Sequence, residues 1–177
     1  AASATDLSIS GVETFRFDNT AANNGAINMD TLTPTTVRFD GVNGAAQTAT
    51  TGVVTLTDLA TSITSIDLIG QGSDGAASDN VAFNGITVDY DVSGTDNVSS
   101  LTLNINNAGT AGDDFFVQKL SVENTEAVVI NAADIGSAAA DELTITEVEG
   151  NDMASLSVTS NGEVIINDID GDVLATV

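Results

Sequence analysis

The feature that most constrains this chain is a short motif that keeps returning: a Thr or Ser, then an apolar, a polar and another apolar residue. It reads Thr14-Phe15-Arg16-Phe17, Thr36-Val37-Arg38-Phe39, Ser65-Ile66-Asp67-Leu68, Ser100-Leu101-Thr102-Leu103 and Ser155-Leu156-Ser157-Val158. Lys119-Leu120-Ser121-Val122 is a Lys-headed variant, and Ala175-Thr176-Val177 reads as a truncated copy. Alternation sends both apolar residues of each run to one face of a strand. Runs of a second type lie between them: Ile27-Asn28-Met29, Val53-Val54-Thr55-Leu56, Val81-Ala82-Phe83 with Ile86-Thr87-Val88, Val128-Val129-Ile130, Leu143-Thr144-Ile145 and Val164-Ile165-Ile166. The two types largely take turns, at roughly twenty to thirty-five residues per pair, the length of one coil of a solenoid.

This pattern predicts an all-β chain, a parallel β-helix or β-solenoid with two main sheets facing each other across a shared core. Met153–Ile166 would be one cross-section of it: a strand, an Asn161-Gly162 corner and a second strand. Irregular Gly/Asn/Asp-rich corners are expected at Asp40–Gly44, Gly70–Gly75, Ala108–Asp114, Gly150–Asp152 and Asp170–Asp172, where turns favour those residues. Pro34, the only proline, precedes a strand, where its missing N–H costs least. Ala132–Glu142 is Ala-rich and is expected to hold a turn or two of helix, interrupted by Gly136. A β-sandwich is the alternative architecture. The recurring signature and a core of small side chains (42% hydrophobic but 4% aromatic) favour the solenoid. No composition break divides residues 1–177, so one domain is expected, and the unfinished strand at Leu174–Val177 reads as part of a longer repeat protein.

Charge narrows the partners. Against 26 acidic residues stand 3 basic ones, Arg16, Arg38 and Lys119, for a net charge of −23. Such a surface repels nucleic acid and anionic membrane and attracts divalent cations. With neither Cys nor His, zinc and copper lose their usual ligands and hard cations bound through oxygen remain. No apolar run is long enough for a membrane span or a signal peptide.

Calcium is therefore the expected ion, and the acidic corners are its candidate sites. Asp89-Tyr90-Asp91-Val92-Ser93-Gly94 matches the start of a D-x-D-x-S-G calcium loop, but its closing position is Ser100, so Asp96 or a neighbouring coil would have to complete it. The same acids also fit the solvated face of a strand, because they alternate with Val88, Tyr90 and Val92. Asn167, Asp168, Asp170 and Asp172 form the densest acidic cluster, expected in the corner after the second strand. Asp113-Asp114 and Asn151-Asp152 are further corner candidates, for which turn formation alone is also sufficient. Arg16 and Arg38 hold the same place in successive runs. Stacked coils would put their guanidinium groups in register, to be offset by nearby carboxylates or a partner subunit.

Gly11–Phe17, Ser121–Ile130 and Ser155–Val158 followed by Val164–Ile166 resemble the calcium-dependent β-solenoid repeats of bacterial surface-layer proteins and of large adhesins exported by type I secretion. That family's tandem Gly-Gly-x-Gly-x-Asp-x-apolar-x nonapeptide occurs here once and degraded, as Gly70–Ala76, with no adjacent copy. The resemblance thus implies a structural solenoid segment rather than a nonapeptide calcium roll. It implies an extracellular, bacterial cell-surface setting and a self-assembling, calcium-stabilised surface-layer subunit. The expected partners are other copies of the chain, divalent cations and cell-surface polysaccharide. An adhesin or filament stalk is the alternative, and a carbohydrate-active β-helix enzyme the alternative of another class. Catalysis is not expected, since the basic or phenolic groups a lyase needs are nearly absent. Paired carboxylates for glycoside hydrolysis are available in any chain this acidic.

Overall fold

The computed structural model describes residues 13–18, 25–30, 32–34, 36–40, 43–44, 53–70, 80–83, 85–92, 97–107, 115–134 and 142–171. Within them lie fourteen strands: β1 (Thr14–Asp18), β2 (Gly25–Asn28), β3 (Thr36–Asp40), β4 (Asn43–Gly44), β5 (Val53–Leu59), β6 (Ser65–Gly70), β7 (Asn80–Phe83), β8 (Gly85–Tyr90), β9 (Leu101–Asn107), β10 (Phe115–Glu123), β11 (Ala127–Asp134), β12 (Glu142–Gly150), β13 (Ser155–Ser160) and β14 (Glu163–Gly171). Sheet A runs β1-β3-β6-β9-β11-β13, and the main path of sheet B runs β14-β12-β10-β8-β5-β2. Every pairing along both paths is parallel. The chain passes from one sheet to the other and back, adding one strand to each per coil, which is a parallel β-solenoid. β4 and β7 form a short antiparallel annex, attached where β7 pairs with β10.

A single apolar cluster fills the space between the sheets, including Val37, Phe39, Ile66, Leu68, Leu101, Leu103, Val128 and Ile130 from sheet A and Leu56, Ile86, Val88, Leu120, Val122, Leu143 and Ile145 from sheet B. Each sheet buries one face only, so its strands alternate in burial, as in β8. Because register is preserved from coil to coil, like residues form columns: Phe15 lies against Val37, Val37 against Ile66 and Ile66 against Leu103. In β10 two consecutive residues, Gln118 and Lys119, face outward, and β12 repeats the step at Thr146-Glu147. Stacking one irregularity on another keeps the inner column continuous.

One expectation requires correction. Lys119–Val122, grouped by its signature with the first type, belongs to sheet B, while Val128–Ile130, grouped with the second type, belongs to sheet A. Four residues of alternation reveal which side chains are buried but not which sheet receives them; strict alternation of sheets along the chain decides. Of the Ala-rich segment, Ala132–Asp134 extends β11 and Glu142 opens β12, while residues 135–141, where the turn of helix is expected, lie outside the described residues. Parallel pairing with β9 and β13 overrides the helical propensity of alanine in β11.

Burial weakens toward the C-terminal end of the stack. Leu143, Ile145 and Val148 of β12 are at most 1% exposed, whereas their partners Val164, Ile166 and Ile169 on β14 are only partly buried. Val158 of β13 is 36% exposed, while its partner Ile130 is fully buried.

Candidate functional site

The described chemistry gathers where sheet B hands the chain to sheet A. These corners are short and stacked by backbone hydrogen bonds: Met29 N donates to Thr57 O (2.8 Å), Asp91 N to Leu59 O (2.9 Å), Glu126 N to Val98 O (2.9 Å) and Ala154 N to Glu126 O (2.8 Å). Inside, Met29, Leu59, Ile63, Tyr90, Val98 and Met153 extend the core into the bend. The Tyr90 hydroxyl donates to Ile63 O at 2.6 Å, and burial pushes that phenol well above its ordinary range. Two residues take left-handed backbone, Asp58 (φ 56°) near the end of β5 and Asn124 (φ 58°) in the corner after β10, a conformation that Asn and Asp tolerate better than most side chains do.

Around these bends carboxylates and amides alternate between coils. Asn28 Nδ2 donates to Asp58 Oδ2 (2.6 Å), Asn124 Nδ2 to Asp89 Oδ1 (2.9 Å), and Asn151 Nδ2 to Glu123 Oε2. Each carboxylate thus receives an amide donor from an adjoining coil. Asp89 lies directly opposite Glu123 in the β8–β10 pairing. Burial raises the Glu123 carboxyl above its ordinary value, and Glu149, Asp89 and Asp152 push it further the same way.

Next to the corner, on the outer face of sheet B, Lys119 Nζ bridges Glu149 Oε2 (2.7 Å) and Glu147 Oε1 (3.0 Å). Ser121 Oγ donates to Glu149 Oε1 at 2.8 Å. The hydrogen bond from Lys119, then that from Ser121, holds the Glu149 carboxyl below its ordinary value. Farther along the stack no described cation intervenes. The β12–β14 register sets Glu142 against Glu163, Glu147 against Asp168 and Glu149 against Asp170. Like charges directly opposite on neighbouring strands are destabilising.

The candidate ligands therefore fall into four situations. Asp89 is on the outer face of β8, brought beside Glu123, while Asp91 is exposed at the start of the next corner and its N–H is taken by Leu59 O. Asn151 and Asp152 occupy the turn after β12, near Glu123. Asn167, Asp168 and Asp170 are not in a corner, as the sequence suggested, but within β14, exposed on its flank. Asp96, Asp113, Asp114 and Asp172 lie outside the described residues. Among the described residues no three carboxylates form a group poised to hold a metal ion.

Sequence reading missed Glu123, Glu142, Glu147, Glu149 and Glu163. The signal was present: Glu142-Leu-Thr-Ile-Thr-Glu-Val-Glu-Gly150 and Glu163-Val-Ile-Ile-Asn-Asp-Ile-Asp-Gly171 carry acids at the same three places and end on the same glycine.

Arg16 and Arg38 do lie in register, and the column continues through Asp67, Asn104, Asn131 and Thr159. Asn104 Nδ2 donates to Asp67 Oδ1 (2.9 Å) and Ser65 Oγ (2.9 Å), and Asn131 Nδ2 donates to Asn104 Oδ1 (3.2 Å). Comparison with family models, curated proteins and solved structures found no match to this chain.

Proposed function

We propose that the chain is a non-catalytic structural segment of a secreted bacterial cell-surface protein, a surface-layer subunit that is stabilised by calcium and assembles with copies of itself. The observation that carries this reading is the triple acidic ladder between β12 and β14. Three like-charged pairs in register on one face repel one another, and a divalent cation between them would turn that repulsion into attraction. The donors suit calcium, a hard ion that takes carboxylate, amide and backbone oxygens in variable number. The pairs Glu142/Glu163, Glu147/Asp168 and Glu149/Asp170 would each offer an ion two carboxylates along the ladder, with water or backbone oxygens completing its shell, and Asp89, Glu123, Asn151 and Asp152 would be a second place at the corner. Bound there, calcium would supply cross-linking charge between coils and no reaction chemistry. The two parallel sheets supply the stiffness of a rod, since each coil contacts only its neighbours and the hydrogen-bond ladders run along its length.

The test is thermal unfolding with calcium and with chelator, followed by electron microscopy after calcium is added. Calcium is expected to raise the unfolding temperature and to produce sheets or filaments. The double variant Asp168→Asn/Asp170→Asn should melt higher in chelator and respond less to calcium. Identical melting with and without calcium, together with strictly monomeric particles, would sink the reading.

A further inference from the structure

We propose that Asn161 is a site of spontaneous covalent modification, where the side-chain amide is lost as ammonia and a carboxylate takes its place, while the fold protects the other three Asn-Gly pairs of the chain. The inference is independent of the cell-surface reading above.

An Asn followed by Gly is open to this change because glycine, without a Cβ, leaves its backbone nitrogen uncrowded and free to turn back on the preceding side chain. The sequence has four such pairs: Asn24-Gly25, Asn43-Gly44, Asn84-Gly85 and Asn161-Gly162. As sequence they are equivalent, and the fold separates them. Gly25 opens β2 in register with Val54, Gly44 lies in β4 opposite Asn80, and Gly85 opens β8 in register with Val53. In all three the attacking nitrogen belongs to a strand, so turning it toward the Asn side chain means opening a ladder. Gly85 is also buried, and a Cβ built on it would come within 3.2 Å of Val53 Cγ2.

Gly162 belongs to no strand. With Asn161 it makes the two-residue corner between Ser160, the last residue of β13, and Glu163, the first of β14, and Asn161 is exposed there. The Gly162 N–H donates to Ser160 Oγ at 3.0 Å, and the same hydroxyl as donor is shared between Gly162 O (3.0 Å) and Ala132 O (3.4 Å). A side chain of its own corner therefore holds the attacking nitrogen, and its release breaks no strand pairing.

The reaction needs only water. Gly162 N attacks Asn161 Cγ, the new C–N bond closes a five-membered succinimide, and the side-chain nitrogen leaves as ammonia with the proton from the Gly162 N–H. Water then opens the ring. Cleavage at Cγ gives Asp, and cleavage at the Asn161 backbone carbonyl gives isoaspartate, in which the chain runs through the former side chain. Isoaspartate lengthens this corner by one backbone atom. Either product sets a new carboxylate two residues from Glu163, which already faces Glu142.

The test incubates the full-length chain at mildly alkaline pH, folded in dilute buffer and unfolded in guanidinium chloride, and follows all four pairs by mass-spectrometric peptide mapping. The readout is the protection at each pair, the unfolded rate divided by the folded rate. Protection at Asn161 should be at least about tenfold smaller than at Asn24, Asn43 and Asn84, the factor that an opening cost of about 1.4 kcal/mol at the ladders imposes. Protection at Asn161 that equals or exceeds that at any of the other three would overturn the proposal.

Discussion

Ile145 offers the sharpest test of how this solenoid is held together. It is 1% exposed, stacked in sheet B between Val117 on β10 and Ile166 on β14. Ile145→Ala removes the equivalent of three methylene groups, and at about 0.8 kcal/mol each the lost transfer energy is about 2.4 kcal/mol. The hole is enclosed by neighbouring coils and by the facing sheet, so a cavity term brings the expected loss to about 3–4 kcal/mol. Ile166→Ala deletes the same atoms from the same column one coil further on, where the side chain is partly exposed. No closed cavity forms there, and the expected loss is about 1 kcal/mol. Urea unfolding followed by far-UV circular dichroism, at concentrations low enough to keep the chain monomeric, measures both, with the slope checked for constancy. Equal losses at the two positions would refute the view that burial fades at the C-terminal coil. A negligible loss at Ile145 would refute the shared core.

Five further outcomes follow from the polar columns, the packed corner and the two shifted glutamates. Asn104→Ala, which strips Asp67 and Ser65 of a donor and Asn131 of an acceptor, should cost about 1–2 kcal/mol in the same urea assay. Asn104→Asp should cost more at neutral pH, with part of the loss recovered on acidification. Gly150→Ala would put a methyl group 2.8 Å from Val122 O and 3.0 Å from Met153 Cβ, so overpacking should destabilise by about 1–3 kcal/mol; a neutral result would show that the corner is loose. The two shifted glutamates should respond to pH in opposite ways. The depressed Glu149 adds stability that is present above its ordinary value of 4.5 and lost as pH falls through its lowered one, so Glu149→Gln should lower the melting temperature at pH 7 and have no effect in strong acid. Ionised Glu123, whose value is raised, works against the fold at pH 7, so Glu123→Gln should raise the melting temperature there, and the gain should disappear as pH falls below 4.5. Melting curves from pH 7 to pH 3 test both signs.

The strands were legible because burial on one face writes itself as alternation. Phe15/Phe17, Val37/Phe39 and Ile66/Leu68 mark sheet A in the sequence itself. The identity of the sheet was less legible where two outward residues in succession, Gln118 and Lys119, broke the period and let the end of β10 imitate a sheet A run. Acids were legible by density but not by partner. Asn167–Asp170 looked like a corner because Asn, Asp and Gly usually mark one, yet Val164, Ile166 and Ile169 each found a buried partner on β12 and drew the whole segment into a strand. The carboxylates opposite them were visible only through the match of Glu142–Gly150 to Glu163–Gly171, a comparison between coils rather than a reading of either alone.

That match also explains why acidity is a structural problem for such a fold. Parallel coils in register put similar residues on top of one another, so any acid that recurs at the same place must face an acid. This molecule answers in different ways at different points along the stack. At the corners and on sheet A an amide from an adjoining coil meets the acid, as in Asn28–Asp58, Asp89–Asn124, Glu123–Asn151 and Asp67–Asn104–Asn131. On β10 and β12 the single lysine spans two carboxylates. Between β12 and β14 neither device recurs for the three pairs: Lys119 bonds Glu147 and Glu149 from the β10 side and shares a column with Glu147 and Asp168, but it stands two strands away from Asp168. A cation is the one counter-charge that such a column can take from solution, and its recruitment would tie the stability of the β12–β14 pairing to the cation concentration of the medium.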